Sequence, residues 1–308
     1  MKRVAAALAG LAAAVALPVH AQPKLMGWAD LMGRPLPKAT ARVAYGPDPL
    51  QVAEVWRPDG KGPFPTVLMI HGGCWLSGLA NLHIMDYAAE DLRKRGIAVW
   101  NVEYRGVDRP GGGYPGTFQD VNAAADAMLA HANEYGLRTR KIVVLGHSAG
   151  GQLALWLAAR GKLAKSSPLY DPKRLDILWT VSLGGLPDLA TAKEGCSEKT
   201  VSRLLAGSTA ADPLADTSPA SLLPTPVARM LIHGGLDETS PPSQGKAYVA
   251  KARAAHDIRA WSYSIPGEGH VEEISPGSRT WAAVTQGLDS VFHSKDAAWV
   301  LQLSPSLP

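Results

Sequence analysis

Ser148, Asp237 and His270 are the residue types that nucleophilic acyl transfer requires, and their chain order is the one that a nucleophile set between a parallel strand and a helix calls for. Ser148 sits in Gly146-His147-Ser148-Ala149-Gly150, directly after the apolar, β-branched run Ile142–Leu145 and before Gln152–Arg160, which carries Leu, Ala and Trp at helical spacing. A serine with glycine two residues away on either side, between a strand and a helix, is a nucleophile-elbow pattern: a sharp turn that lifts the hydroxyl above the sheet. A serine hydroxyl is a poor nucleophile at neutral pH and needs a base. His270, in Pro266-Gly267-Glu268-Gly269-His270, would take its proton and return it to the leaving group. Asp237, in His233-Gly234-Gly235-Leu236-Asp237-Glu238, would fix the imidazole tautomer and stabilise the imidazolium. Glu238 and Asp188 are the alternatives to Asp237. A fourth component follows an earlier apolar run: His71-Gly72-Gly73-Cys74-Trp75 could offer the backbone N–H groups of Gly73 and Cys74 to an oxyanion, with Ala149 supplying another. His71, His147 and His233 read as structural hydrogen-bonding residues. His83, His131, His256 and His293 show no metal-ligand spacing, so no metal or other cofactor is expected.

These groups can meet only if their elements end at one edge of a sheet. Ala41–Gly46 and Gln51–Trp56 flank Pro47-Asp48-Pro49 and read as an antiparallel hairpin. Thr66–Ile70 reads as a buried strand, Asn81–Arg95 as an amphipathic helix stopped by Gly96, and Ile97–Tyr104 as a strand. After a glycine-rich loop through Gly116, Thr117 is the expected cap of a helix running to Tyr135. Beyond the elbow, strands are expected at Ile177–Leu183, Val227–His233 and Ile258–Ile265, with helices at Pro241–His256 and Ser278–Val291. Strands alternating with helices predict an α/β fold with a mostly parallel, doubly wound sheet led by an antiparallel hairpin. In such sheets ligands bind beyond the carboxyl ends of the strands, where Ser148, Asp237, His270 and the Gly73–Cys74 turn all fall.

The remainder bounds the function. Lys2 and Arg3 precede the apolar run Val4–Leu17 and Val19-His20-Ala21, the layout of a secretory signal peptide cleaved near Ala21. The run is too short to span a bilayer, so no stable membrane anchor is expected, and the mature protein should be periplasmic or secreted. Loss of Lys2 and Arg3 lowers the formal net charge of +4 by two, leaving no electrostatic case for a nucleic-acid partner. The expected division is a signal peptide over 1–21, an irregular N-terminal arm over 22–40, one catalytic domain over 41–293 and a tail over 294–308. The stretch 184–226 has no clear strand and is expected to form a small cap.

The turn His71–Trp75, the elbow Gly146–Gly150, Asp237 and His270 together resemble the α/β-hydrolase superfamily. The similarity is to its small serine esterase branch, which includes kynurenine formamidase-like and feruloyl-esterase-like proteins with an HGGxW oxyanion loop. The resemblance spans roughly Gly46 to Val291. It implies carboxylic ester hydrolysis by a Ser148–His270–Asp237 triad acting on a small-molecule ester. Cys74 departs from the HGGG form of that loop, which keeps the backbone donor and changes the side chain beside the substrate. An amidase using the same groups, for formamide hydrolysis or dipeptide release, is the alternative, and a non-catalytic binding relative a third. Tyr114 and Leu186 are candidate pocket walls, and Trp75 either lines the pocket or packs beneath its loop. Cys74 and Cys196 both follow carboxyl ends of strands, so in an oxidising compartment they either bridge cap to oxyanion loop or remain two separate buried thiols.

Overall fold

The computed structural model describes residues 24–208 and 211–293. The expected signal peptide, 1–21, and tail, 294–308, lie outside the described residues. Eight strands form one sheet: β1 (Ala41–Ala44), β2 (Val52–Trp56), β3 (Thr66–Ile70), β4 (Ala98–Val102), β5 (Ile142–His147), β6 (Ile177–Leu183), β7 (Ala228–Gly234) and β8 (Ala260–Ile265). Their order is β1-β2-β4-β3-β5-β6-β7-β8. The β1/β2 and β2/β4 pairs are antiparallel and all others parallel. This is the expected α/β-hydrolase architecture, a leading hairpin followed by a doubly wound sheet.

The helices are α1 (Trp28–Met32), α2 (Asp86–Lys94), α3 (Gly116–Ala130), α4 (Ala132–Tyr135), α5 (Ala149–Ala159), α6 (Lys193–Cys196), α7 (Glu198–Leu205), α8 (Pro242–Ala254) and α9 (Arg279–His293). Side chains alternate across a strand, so each central strand feeds two cores. Leu68 and Ile70 of β3, with Ile142 and Val144 of β5, pack on the side of α3 and α5 beside Phe118, Val121, Leu153 and Trp156. Val67, Met69, Val143 and Leu145 face the other way, toward Leu92 of α2 and Trp281 and Leu288 of α9. The sheet is therefore covered on both faces, and β5 lies between β3 and β6 in its middle.

Three local expectations are corrected. Thr117 does not cap its helix: α3 begins at Gly116, and Thr117 lies in the first turn, where Oγ1 donates to the Arg105 carbonyl and accepts the Gly113 N–H. That helix also ends at His131, and the short α4 follows before Gly136, in a left-handed conformation, stops it. The expected helix from Asn81 starts instead as a 3₁₀ turn, Leu82–Met85, capped by Asn81 Oδ1 at the His83 N–H, and continues as α2. The arm, expected to be irregular, contains α1, which buries Leu31 in the α2/α9 core. Met26 N–H donates to Glu272, and Tyr87 hydroxyl donates to the Arg34 carbonyl, so the arm is tied to the carboxyl-end face of the sheet.

Candidate active site

Ser148 occupies the turn between β5 and α5 with φ 54° and ψ −122°, a backbone conformation that is costly for a residue with a side chain. The turn is held from both sides: Ser148 N–H donates to the Leu183 carbonyl, and the Ser148 carbonyl accepts from Gly151. A Cβ at Gly146 would lie 2.0 Å from the Gly150 carbonyl oxygen, and one at Gly150 would lie 2.2 Å from that of Ile70. Glycine at both places is thus a condition of strand–helix approach. Ala149 is the first residue of α5, whose N–H groups lack intrahelical partners and favour negative charge nearby.

His270 Nδ1 donates to Asp237 Oδ2 at 2.7 Å, leaving Nε2 as the basic nitrogen. Asp237 Oδ1 accepts the backbone N–H groups of Thr239 and Ser240, at 2.8 and 2.9 Å. Burial pushes the Asp237 carboxyl up, but the hydrogen bond and charge of His270 and the backbone donor Ser240 outweigh it, and the group sits below its ordinary value. The alternatives are placed elsewhere. Asp188 pairs with Lys251 and accepts the Ala190 N–H, and Glu238 is exposed.

The turn after β3 carries three consecutive residues of positive φ, Gly73 (105°), Cys74 (49°) and Trp75 (55°). Non-glycine residues hold such angles only where their surroundings over-determine them. Here they do: Cys74 is bridged to Cys196 with Cα atoms 5.3 Å apart, Trp75 Nε1 donates to Gln152 Oε1, and the Trp75 carbonyl accepts the Val107 N–H. The separate-thiol alternative for the two cysteines is thereby set aside. Upstream, His71 Nε2 meets Glu103 Oε1 at 2.8 Å and its ring stacks on Tyr104. Glu103 also accepts the N–H groups of Leu82 and Tyr104, so it fixes the root of the turn. Sequence reading passed over Glu103, which follows a buried strand with nothing in its spacing to mark it.

Ser148, His270, Gly73, Cys74 and His147 open on one cavity of about 530 Å³. Its other walls are Trp28 and Met32 of α1, Leu79, Ala80, Asn81 and Ile84 after the turn, Gly195 of α6 and Thr239. Tyr114 and Leu186, expected as candidate pocket walls, are not among them, and Trp75 takes the second of its two expected placements, packed beneath its loop. Trp75 and Leu186 are fully buried in the core on the α3/α5 side, and the Tyr114 hydroxyl donates to Asp216 inside the cap segment. The arm supplies the aromatic wall instead, with the Trp28 ring edge-on to His147 at 6.0 Å. Among the described residues of the 184–226 segment, Gly195 alone lines the cavity, beside the disulfide. A second concavity of about 410 Å³, around Arg160 and Lys162, lies at the amino ends of the strands, away from Ser148.

The two histidines next to the site stay neutral. His147 is fully buried and donates from Nε2 to the His270 carbonyl; desolvation, then the nearness of His270, holds it well below its ordinary value. His233 donates from Nδ1 to the Ser240 carbonyl, and burial lowers it as well.

The sequence matches the BD-FAE family over residues 54–251. Esterase LipC of Mycobacterium tuberculosis is 27% identical over 254 residues, covering 78% of this chain and 61% of LipC. An esterase of Gibberella moniliformis is 29% identical over 137 residues, covering 43% of this chain and 41% of that protein. The chain thus spans about three-fifths of the one relative's length and two-fifths of the other's. Among solved structures, a truncated carbohydrate esterase from gut microbiota superposes with a TM-score of 0.69 at 20% identity, over 83% of this chain and 98% of that one. Esterase B from Lactobacillus Rhamnosis, in a form inhibited by a C6-C4 SN3 compound, gives 0.69 at 20% identity over 87% and 92%. At these identities the likeness is one of fold.

Proposed function

We propose, for a chain that belongs to the BD-FAE family of α/β-hydrolase-fold esterases, that it is a serine carboxylic ester hydrolase acting on a small or aryl ester. The observation that carries the reading is His270, hydrogen-bonded to the buried Asp237, opening with Ser148 onto one cavity rimmed by the Gly73–Cys74 turn. In this reading Ser148 Oγ attacks the ester carbonyl as His270 Nε2 takes its proton. The oxyanion is met by backbone N–H groups of Gly73, Cys74 and Ala149. His270 returns the proton to the departing alcohol, and water, activated by the same nitrogen, hydrolyses the acyl-enzyme. Asp237 keeps Nδ1 protonated throughout.

The cavity volume and the apolar side chains Trp28, Met32, Leu79 and Ile84 suit a substrate of modest size with an aromatic or short aliphatic group. The esterase names of the relatives point the same way. The nearest finer reading is the kynurenine formamidase-like and feruloyl-esterase-like branch, on the His71–Trp75 turn. Amide hydrolysis by the same groups remains the competing activity, and a panel separates the two. p-Nitrophenyl esters of rising acyl length, feruloyl esters and N-formylkynurenine are assayed on the wild type and on Ser148→Ala. Esterase function predicts turnover of the esters well above that of the formamide, and none in the alanine variant. Preferential turnover of the formamide would reverse the assignment. Among the described residues no helix is long and apolar enough to cross a membrane. Export after cleavage near Ala21 rests on the charged–apolar–Ala layout of residues 2–21, and N-terminal sequencing of the exported protein tests it.

A further inference from the structure

Behind the His270–Asp237 pair lies a second carboxyl group that ester hydrolysis does not require. Glu273, three residues after His270, has no solvent exposure. Its Oε1 accepts the Gly234 N–H at 2.7 Å. Its Oε2 lies 3.6 Å from His270 Nδ1 and 3.6 Å from His147 Nε2, and no donor reaches it. Oxygen atoms of Glu273 and Asp237 and a ring nitrogen of His233 lie within 4.8 Å of one another. Space is made for this carboxyl: a Cβ at Gly184, whose φ is +49°, would fall 2.1 Å from Oε2. Two carboxylates this close, both fully or nearly buried, disfavour a second negative charge, and one proton held between them relieves it.

We propose that Glu273 is a positioning residue that stays neutral and donates its one proton from Oε2 to the Asp237 carboxylate, holding it against His270 Nδ1. The proposal rests on the triad reading above. It adds a third kind of donor to Asp237, whose Oδ1 takes two backbone N–H groups and whose Oδ2 takes His270. The groups facing Glu273 from every side are Asp237 after β7, His233 within β7, His147 at the end of β5, and His270 and Glu272 on its own segment. His147 and His233 are held neutral, so neither offers a charge that would ionise Glu273. Burial first, then the Asp237 charge, pushes the Glu273 carboxyl well above the carboxylate range. Sequence alone conceals the residue, because no spacing or motif in Val271-Glu272-Glu273-Ile274 marks it.

The test uses Glu273→Gln and Glu273→Leu in the full chain. A glutamine amide reproduces the neutral acid, accepting from Gly234 and donating to Asp237, whereas leucine does neither. The expected result is a Gln variant with kcat within about 3-fold of wild type and the acid limb of its kcat/KM–pH profile unmoved, with the Leu variant losing about 10-fold or more in kcat at unchanged KM. Were Glu273 ionised, its charge 3.6 Å from Nδ1 would support the imidazolium, and the Gln variant would shift the acid limb down by roughly 1–3 pH units. Such a shift, or equal losses in Gln and Leu, overturns the proposal. If the Leu variant fails to fold, the limb of the Gln variant decides alone. Ser148→Ala is expected to be inactive in either outcome, so a moved limb refutes the role of Glu273 and leaves the triad standing, while residual activity in Ser148→Ala indicts the triad itself.

Discussion

Replacing both cysteines by serine should cost the protein stability and turnover together. The bridge joins residues 122 apart in sequence, linking the turn after β3 to the end of α6. For a loop of that length the chain-entropy relation gives about 5 kcal/mol of stabilisation at 25 °C, before any difference in native contacts. That is a large share of the roughly 5–15 kcal/mol by which domains are stable. With a urea m-value of about 3 kcal/mol/M the midpoint should fall by roughly 1.5–2 M. Turnover should fall too, because the bridge is one of the three contacts that hold positive φ at Cys74 and Trp75. The Trp75–Gln152 hydrogen bond and the Val107 N–H to the Trp75 carbonyl remain in the variant. The loss in kcat should therefore stay short of the roughly 10²–10³ that follows outright removal of an oxyanion donor, nearer 10-fold, with KM little changed. Urea unfolding of the wild type with and without reductant, beside Cys74→Ser/Cys196→Ser, measures the first quantity, and p-nitrophenyl acetate kinetics the second. Midpoints that agree within 0.3 M (about 1 kcal/mol at this m-value) would refute the stability argument. An unchanged kcat would show that the turn holds its geometry without the bridge.

Three other outcomes follow from single contacts. Asp237→Asn should lower kcat by about 10³–10⁴, since the tautomer of His270 is no longer enforced, while Asp188→Asn and Glu238→Gln stay within a few-fold; comparable losses in all three would leave the orienting acid unassigned. Trp28→Ala should lower kcat/KM for aryl esters about 10-fold more than for acetate esters, and an equal change across the series would remove α1 from the substrate wall. Asp86 is pushed by burial up to about 7, against the hydrogen bonds of His83 and Asn101. A carboxyl raised in the folded state loses stability for the protein as pH climbs from the unfolded value through the folded one. Asp86→Asn should therefore gain on the wild type by about 1.4 kcal/mol per pH unit between roughly pH 4 and 7 and then level off, and a difference that does not grow over that window contradicts the burial argument.

What the chain discloses on its own depends on how local the signal is. Thr66–Ile70 and Ile177–Leu183 are read to the residue, because a strand covered on both faces is a continuous apolar run with polar or glycine punctuation. The Ser148 elbow is legible for a different reason: its steric demands fall on Gly146 and Gly150, within two residues of the serine. Pocket walls have no such local signature. Trp75, Tyr114 and Leu186 are large side chains near the right loops, but the positive φ at Trp75 turns its ring under the loop toward Gln152, and Tyr114 is captured by Asp216. Trp28 and Met32 reach the cavity only because Met26, Leu31 and Arg34 tie a five-residue helix across the strand ends. No periodicity in Gln22–Thr40 encodes those distant partners. Glu103 and Glu273 escape for the same reason, since each is defined by what folds against it.

The most direct measurement of the central claim is covalent capture. A fluorophosphonate reacts with a serine only where a neighbouring base and oxyanion donors activate it. Incubation with one equivalent, proteolysis and mass spectrometry should place a single phosphonyl group on Ser148, with activity lost in proportion to labelling and no adduct in Ser148→Ala. Labelling of another serine, or full activity in protein phosphonylated at Ser148, would contradict the account.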